Sequence, residues 1–208
     1  RKNLAAASIS INGNNNNNNN TTNNIVNNNI HIPPMNAFGS ENLDYITTKM
    51  LLKQIELSKD FTDITETVKT FTQLIHAHPA HPENHNVMFP SNNSGYAKIF
   101  DGENFEICNS LNAQDKILEK VGRLLLDKKN EYCEVQENKN KDISPKVDKQ
   151  LVKLEEAVED NINETLYKEN AADSTRLLSS YRNTVKSALL SKKEDIDTTQ
   201  KLIQHKRQ

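Results

Sequence analysis

The chain has 208 residues, a net charge of −2 and 35% hydrophobic residues, with few aromatics and no tryptophan. With a mean hydropathy of −0.78, this composition excludes one core along the whole length and indicates a folded unit flanked by solvated segments. No apolar run approaches the roughly 20 residues that span a bilayer, so we expect no membrane partner. Cys108 and Cys133 lack CxxC spacing, which is typical of reduced thiols in an intracellular, non-secreted chain.

The first segment is rich in asparagine. Residues 1–30 contain fourteen asparagines, including the unbroken run Asn14–Asn20. Asparagine side chains stay solvated at low cost and hydrogen-bond to the nearby backbone, so they compete with regular structure. We expect residues 1–30 to be a disordered linker. Because the chain opens on Arg1 rather than methionine, we also expect it to be part of a longer protein.

Two amphipathic helices are predicted after the linker. Ser40 is a suitable N-cap for the first, which is expected to end near Leu57. Its apolar stripe consists of Leu43, Ile46, Met50 and Leu51. Asp63 and Glu66 have the spacing of a capping box for the second helix, and Pro79 is expected to stop it. The apolar face of this second helix consists of Ile64, Val68, Phe71, Leu74 and Ile75.

The hydrophobic period changes from helical to alternating after residue 86. Val87 and Phe89 would share one face of a short strand. Asp101-Gly102 then separates two alternating segments, which is a strong signal for a hairpin with a two-residue type I′ turn. Such a turn sets three cross-strand pairs: Phe100–Glu103, Lys98–Phe105 and Tyr96–Ile107. We therefore expect Tyr96, Phe105 and Ile107 to pack on the helices.

Long amphipathic helices are predicted for residues 114–208. One apolar stripe starts at Ile117, and a second starts at Val147 after a polar break at Asn138–Pro145. A third stripe consists of Leu178, Tyr181, Val185 and Ala188. The stripes are narrow, so each helix needs a partner helix or a second copy of itself, and a coiled coil and loosely packed helices both remain open. The predicted fold class is α+β: a small domain at 31–113, with two or three helices on a short antiparallel sheet, followed by this helical region.

Four of the six histidines lie in the segment HAHPAHPENHN, from His76 to Asn86. A zinc site needs three or four ligands at about 2.0–2.3 Å from one point. His78 and His81 both precede a proline, which favours extended backbone and places the two rings about 9 Å apart along a polyproline II axis. We therefore predict a turn with no metal or cofactor, in which Glu83 and Asn84 bind backbone donors. Its residues are His81, Pro82, Glu83, Asn84, His85 and Asn86. The alternative is a metal-dependent hydrolase or nuclease that uses His76, His81 and His85 with Glu83.

A basic stretch occurs near the C-terminal end of the sequence. Residues 174–193 contain five basic and no acidic side chains: Arg176, Arg182, Lys186, Lys192 and Lys193. Cations on one helix face can neutralise several phosphates, so these residues are candidate nucleic-acid contacts. The alternative interpretation is a solvated helical face.

The order of three motifs resembles a domain found in uncharacterised proteins of giant (nucleocytoplasmic large) DNA viruses. The motifs are FGSENLDYIT at Phe38–Thr47, LIHAHPAHPENHNV at Leu74–Val87 and SGYAKIFDGENFEI at Ser94–Ile107. The similarity extends over roughly Ala37–Val135. His78 and Pro79 depart from the pattern, which usually has phenylalanine or asparagine before the proline. The helix from Gln114 onward is amphipathic but lacks the acidic residue pattern of the family.

The resemblance implies a position after a zinc-finger segment, a coiled coil and an asparagine-rich linker, in the cytoplasm or nucleus of an infected cell. The family brings no established catalytic residues, and this sequence contains no phosphate-binding loop, GxGxxG or GxSxG motif. We therefore predict a non-enzymatic binding module of a viral protein. The expected partners are a protein, a second copy through the helices, or nucleic acid.

Overall fold

The computed structural model describes residues 33–57, 64–159, 162 and 172–206, except for the side chains of 172–176 and 203–206. The predicted linker at 1–30, Asp63 and the Arg176 side chain lie outside the described residues. The described residues form six α-helices and one three-stranded antiparallel sheet, which confirms the α+β class. The helices are α1 (Thr48–Leu57), α2 (Thr65–His76), α3 (Ser110–Asn138), α4 (Pro145–Val158), α5 (Ala172–Leu190) and α6 (Lys193–Lys206). The strands are β1 (Val87–Met88), β2 (Tyr96–Phe100) and β3 (Phe105–Asn109).

The first helix begins at Thr48, so the predicted start at Ser40 is wrong. The preceding segment is held by distant acceptors instead of helical ones. The Asn36 amide donates to the Glu83 carbonyl at 2.7 Å, and the Phe38 amide donates to the Phe100 carbonyl at 2.8 Å. Inside the predicted first turn, the Asn42 carbonyl accepts from Asn84 Nδ2 at 2.7 Å, whereas a helix would use it as the acceptor for the Ile46 amide. The Ile46 amide donates to the Leu43 carbonyl instead, at 2.9 Å.

The helix boundaries that depend on local signals agree with the predictions. α2 ends at His76, before Pro79, and Val68, Phe71 and Ile75 are buried on its inner face. Its N-cap position is Ile64, which makes no side-chain capping bond. α3 ends and α4 begins at the two limits of the predicted polar break, Asn138 and Pro145.

The hairpin is present, but its predicted register is wrong by two residues. Asp101 Oδ1 accepts hydrogen bonds from the amides of Glu103 (2.7 Å) and Asn104 (2.6 Å). These bonds close a four-residue turn at 101–104, with Gly102 at φ +114°, where the prediction had a two-residue turn. The resulting cross-strand pairs are Phe100–Phe105, Lys98–Ile107 and Tyr96–Asn109.

The face of the sheet that packs on the helices is also opposite to the predicted one. Tyr96 is 42% and Ile107 is 70% exposed, whereas Ala97 on the other face is fully buried. α3 packs on the Ala97 face, where the small side chain permits a close approach of the helix. The sequence predicts Val87 and Phe89 on one face of one strand; both are buried, but β1 ends at Met88, so Phe89 lies just outside it.

One hydrophobic core joins the sheet and the helices on both sides of residue 113. α2 and α3 both pack on α5, and α4 packs on α3, so most of the predicted apolar stripes are covered among the described residues. Val135 near the end of α3 stays 38% exposed. Buried residues of the later helices include Leu151, Leu154, Leu178, Tyr181 and Val185. The expected domain boundary between 113 and 114 falls inside α3. Within the described residues, none of the helices combines the length and apolar character needed to cross a membrane.

The junction between β3 and α3 depends on a single side chain. Asn109 is the N-cap of α3, and its Oδ1 accepts hydrogen bonds from the amides of Leu111 (2.8 Å) and Asn112 (3.4 Å). We expect Asn109→Ala to lower the free energy of unfolding by about 1 kcal/mol, because these amides lose their acceptor. Urea denaturation followed by circular dichroism measures this change. The exposed Asn112→Ala is the control, and an equal loss in both variants would contradict the capping role.

Candidate functional site

The segment His81–Asn86 connects α2 to β1 through a short 3-10 helix at Pro82–Asn84. Asn84 is fully buried, although it is polar. Its Oδ1 accepts hydrogen bonds from Asn36 Nδ2 (2.9 Å) and from the Asn42 amide (3.1 Å), and its Nδ2 donates to the Asn42 carbonyl (2.7 Å). The side chain therefore binds the 36–42 segment much as a neighbouring strand would.

Asn86 makes a second set of buried bonds beside the first. Its Nδ2 donates to Glu41 Oε1 at 2.8 Å and to the Asn36 carbonyl at 3.2 Å. Its Oδ1 accepts a hydrogen bond from His76 Nδ1 at 3.1 Å. Glu41 also accepts the Gly39 amide and forms an ion pair with Lys120 of α3. We call these residues the buried polar network: Asn36, Glu41, His76, Asn84, Asn86 and Lys120.

Burial determines the ionisation of this region. Desolvation lowers the pKa of His76 to about 4, and the hydrogen bond to Asn86 only partly opposes it. Burial also lowers the pKa of the Lys120 ammonium and that of the His85 ring. His76 is therefore a neutral donor at neutral pH, and its ring stacks on Phe38 with the centroids 5.5 Å apart.

His78 and His81 are closer together than predicted: the His81 amide donates to the His78 carbonyl at 2.9 Å in a turn, and the two ring centroids are 5.2 Å apart rather than about 9 Å. Both rings lie against Tyr45. His81 Nδ1 donates to Glu83 Oε1 at 2.9 Å, and its ring stacks on Tyr45 at 3.5 Å between centroids. His78 Nδ1 accepts the Ala80 amide at 3.2 Å. His85 lies between the His78 carbonyl and Thr199 Oγ1 of α6. In the part of the chain that the structure describes, no three His, Cys, Asp or Glu side chains are arranged to hold a metal ion.

The candidate basic contacts are largely engaged within the fold. Arg182 forms a two-point ion pair with Asp115, at 2.6 and 2.8 Å. Lys186 is buried, and its Nζ donates to the Ser94 carbonyl at 2.7 Å. Lys193 Nζ donates to the Pro90 carbonyl at 2.7 Å, and Lys192 is half-buried. Lys186 is therefore not accessible to a phosphate, and Arg182 would have to exchange one anion for another.

A cleft of about 310 Å³ lies between the outer face of the sheet and α6. No sequence pattern indicates this cleft, because residues about 100 positions apart form its two walls. We call it the sheet–helix cleft. The sheet side consists of Met88, Pro90, Tyr96, Lys98 and Phe105, and the helix side of Lys193, Asp197, Gln200 and Lys201.

The charges of the sheet–helix cleft are unevenly balanced. Three lysines and one aspartate line it. Within the described residues, neither Lys98 nor Lys201 forms an ion pair with a carboxylate, and Asp197 Oδ1 is buried without a hydrogen-bond partner. Tyr96 is the most exposed aromatic ring of the sheet, and Phe105 beside it is half-buried. The cleft thus offers aromatic surface together with two ammonium groups that form no ion pair among the described residues, and Asp197 is the one described carboxylate in its lining.

Comparison with known proteins gives no further guide to this site. No protein-family model matches the chain, and neither the curated proteins nor the solved structures contain a match to it.

Proposed function

We propose that this chain is a non-enzymatic binding module, in a viral protein as the motif resemblance implies, and that it binds single-stranded nucleic acid in the sheet–helix cleft. The observation that carries this proposal is the exposed Tyr96 ring in one cleft with Lys98 and Lys201, neither of which forms an ion pair among the described residues. Bases stack on aromatic rings of open sheets, and lysines neutralise the phosphates that link them.

The size and position of the cleft support the same ligand. About 310 Å³ is at the lower end of the range for small-molecule pockets, which suits one nucleotide at a time. The outer face of the sheet continues from the cleft toward Ile107, so a bound nucleic-acid chain can extend across this face. In a duplex the bases are stacked on one another and cannot stack on Tyr96, so only the phosphates can contact the lysines. We therefore expect a duplex to bind more weakly than a single strand.

The alternative, a metal-dependent hydrolase or nuclease using His76, His81, His85 and Glu83, has less support. His76 and His85 are both buried, and each already makes hydrogen bonds within the fold. Using them as ligands would require the buried polar network to open. The cleft offers an accessible site without such a rearrangement.

Fluorescence anisotropy with labelled single-stranded RNA tests the proposal across a salt series. We expect Lys98→Ala/Lys201→Ala to weaken binding about tenfold at low salt and to reduce the slope of log K against log salt by about 1.4, or roughly 0.7 for each phosphate contact. We expect Tyr96→Ala to weaken binding by about 1–3 kcal/mol, because one base loses its stacking surface.

The matched control is Lys146→Ala/Lys149→Ala on α4, which removes the same charge from two exposed positions. Equal losses in both double variants would show that only net charge matters and would overturn the assignment of the cleft. Tighter binding of a labelled polyglutamate peptide than of RNA would replace the nucleic acid with an acidic protein segment.

A further inference from the structure

The second strand of the hairpin, β3, is an edge strand of the described sheet, with β2 on its inner side. The hydrogen bonds Asp101 N to Asn104 O and Ser110 N to Gly95 O mark the two ends of the β2–β3 ladder. Bonded and non-bonded pairs alternate along an antiparallel ladder, so every second residue of β3 directs its amide and carbonyl away from β2. These residues are Phe105, Ile107 and Asn109. The outer edge of β3 therefore presents a row of backbone groups that another strand can bind.

The centre of this edge is apolar. Ile107 is the middle residue of the five in β3 and is 70% exposed, the largest exposed fraction among the exposed large hydrophobic residues described. A two-fold axis through Ile107 would pair it with Ile107 of a second copy. Phe105 would then pair with Asn109 of that copy, and the exposed isoleucines would cover each other.

Charge determines which partner strand fits. In this register Glu106 lies opposite Cys108 of the second copy, as a non-hydrogen-bonded pair with Cα atoms about 4.5 Å apart. Burial raises the pKa of the Cys108 thiol, the Lys116 ammonium of α3 opposes that rise, and Glu106 two residues earlier on the same strand adds to it, so charges of both signs act on Cys108. Glu106 of one copy would therefore lie beside Lys116 of the other. Among the described residues of a single copy, neither Glu106 nor Lys116 forms an ion pair, and both are exposed.

We infer that two copies of this chain associate through β3, in a symmetric antiparallel dimer centred on Ile107 with Glu106 of each copy beside Lys116 of the other. A charged residue on an edge strand ordinarily discourages pairing. Here the complementary lysine comes with a second copy of the same surface, and the two-fold axis makes the contact twice. The inference does not depend on the proposed nucleic-acid binding, and it differs from association through the helices, whose apolar stripes are mostly covered among the described residues.

Sedimentation equilibrium of the full chain and its charge-reversed variants tests the dimer. We expect a wild-type dimer, at least a tenfold weaker association in Glu106→Lys and in Lys116→Glu, and recovery in the double variant, because the pair is restored with opposite polarity. Lys149→Glu on α4 is the matched control and should not change the association. A wild-type monomer, or a double variant no better than the single ones, would overturn the inference.

A cross-link checks the register independently. In a Cys133→Ser background, Glu106→Cys places a thiol opposite the free Cys108 of the second copy. Oxidation with diamide should then give a covalent dimer on a non-reducing gel. Asn92→Cys in the same background, at an exposed loop position, should remain monomeric on the gel. Similar cross-linking in both would contradict the β3 pairing.

Discussion

Asn84→Ala should lower the free energy of unfolding by about 3 kcal/mol, because three hydrogen bonds of the fully buried Asn84 side chain are lost, at about 1 kcal/mol each. The partners in these bonds are the amide and carbonyl of Asn42 and the side-chain amide of Asn36. Alanine also leaves a small void where the amide was packed. Denaturant titration monitored by circular dichroism measures the change.

The control for this prediction is Asn92→Ala, in the exposed loop before β2. It removes the same chemical group and should change the stability by less than about 0.5 kcal/mol. If Asn84→Ala lost no more than the control, the 36–42 segment would not depend on the buried polar network for its position.

Acidification from about pH 7 to about pH 5 should lower the free energy of unfolding by about 2 kcal/mol through His76 alone. Its pKa is about 4 in the folded protein, against an ordinary value of 6.5. The unfolded chain therefore binds more protons between these two values, so the stabilisation is complete above pH 6.5 and is lost as the pH falls toward 4. Glu41 Oε1 lies 3.7 Å from His76 Nδ1, but Glu41 already forms an ion pair with Lys120, so it compensates a protonated His76 only in part.

His76→Gln tests this origin of the pH dependence. Glutamine has a side-chain amide that can donate to Asn86, but it does not titrate. We expect the variant to be less stable at neutral pH and to lose stability less steeply on acidification. Burial also lowers the pKa of His85, so His85 lowers the free energy of unfolding on acidification in both the wild type and the variant. Parallel slopes in the wild type and the variant would contradict the assignment to His76.

The helices could be predicted from the sequence because their signals are local. A helix is indicated by apolar residues spaced three to four apart, such as Ile117, Val121 and Leu124, and its end by the polar break before Pro145. Both signals act within a few residues of chain, and α3 ends and α4 begins at the limits of that break. The sheet depends on contacts that periodicity does not contain. Tyr96 and Ile107 are larger than Ala97, yet the approach of α3 decides which face is buried.

The candidate site was less accessible to prediction, for the same reason. The side chains of Glu83 and Asn84 were expected to hold a local turn, but Asn84 binds the backbone of Asn42, 42 residues earlier. The sheet–helix cleft joins β2 and β3 to α6, and no sequence pattern links Tyr96 to Lys201. The hydrophobic periodicity of one helix or strand does not indicate which distant element it meets, so a site formed between two such elements cannot be predicted from it.

The contacts that the end of α5 and α6 make with the earlier part of the fold also bear on how the chain is synthesised. His85 meets Thr199 and Gln200, and Gln73 meets Ala188 and Ser191, at sequence separations of 114 to 118 residues. At about 5–20 residues per second, a ribosome needs roughly 6 to 23 seconds to add that length. During this interval the nascent polypeptide lacks the residues that cover His85, so the native packing around His85 forms only after α6 has been synthesised. Such long-range contacts also favour slow refolding in vitro.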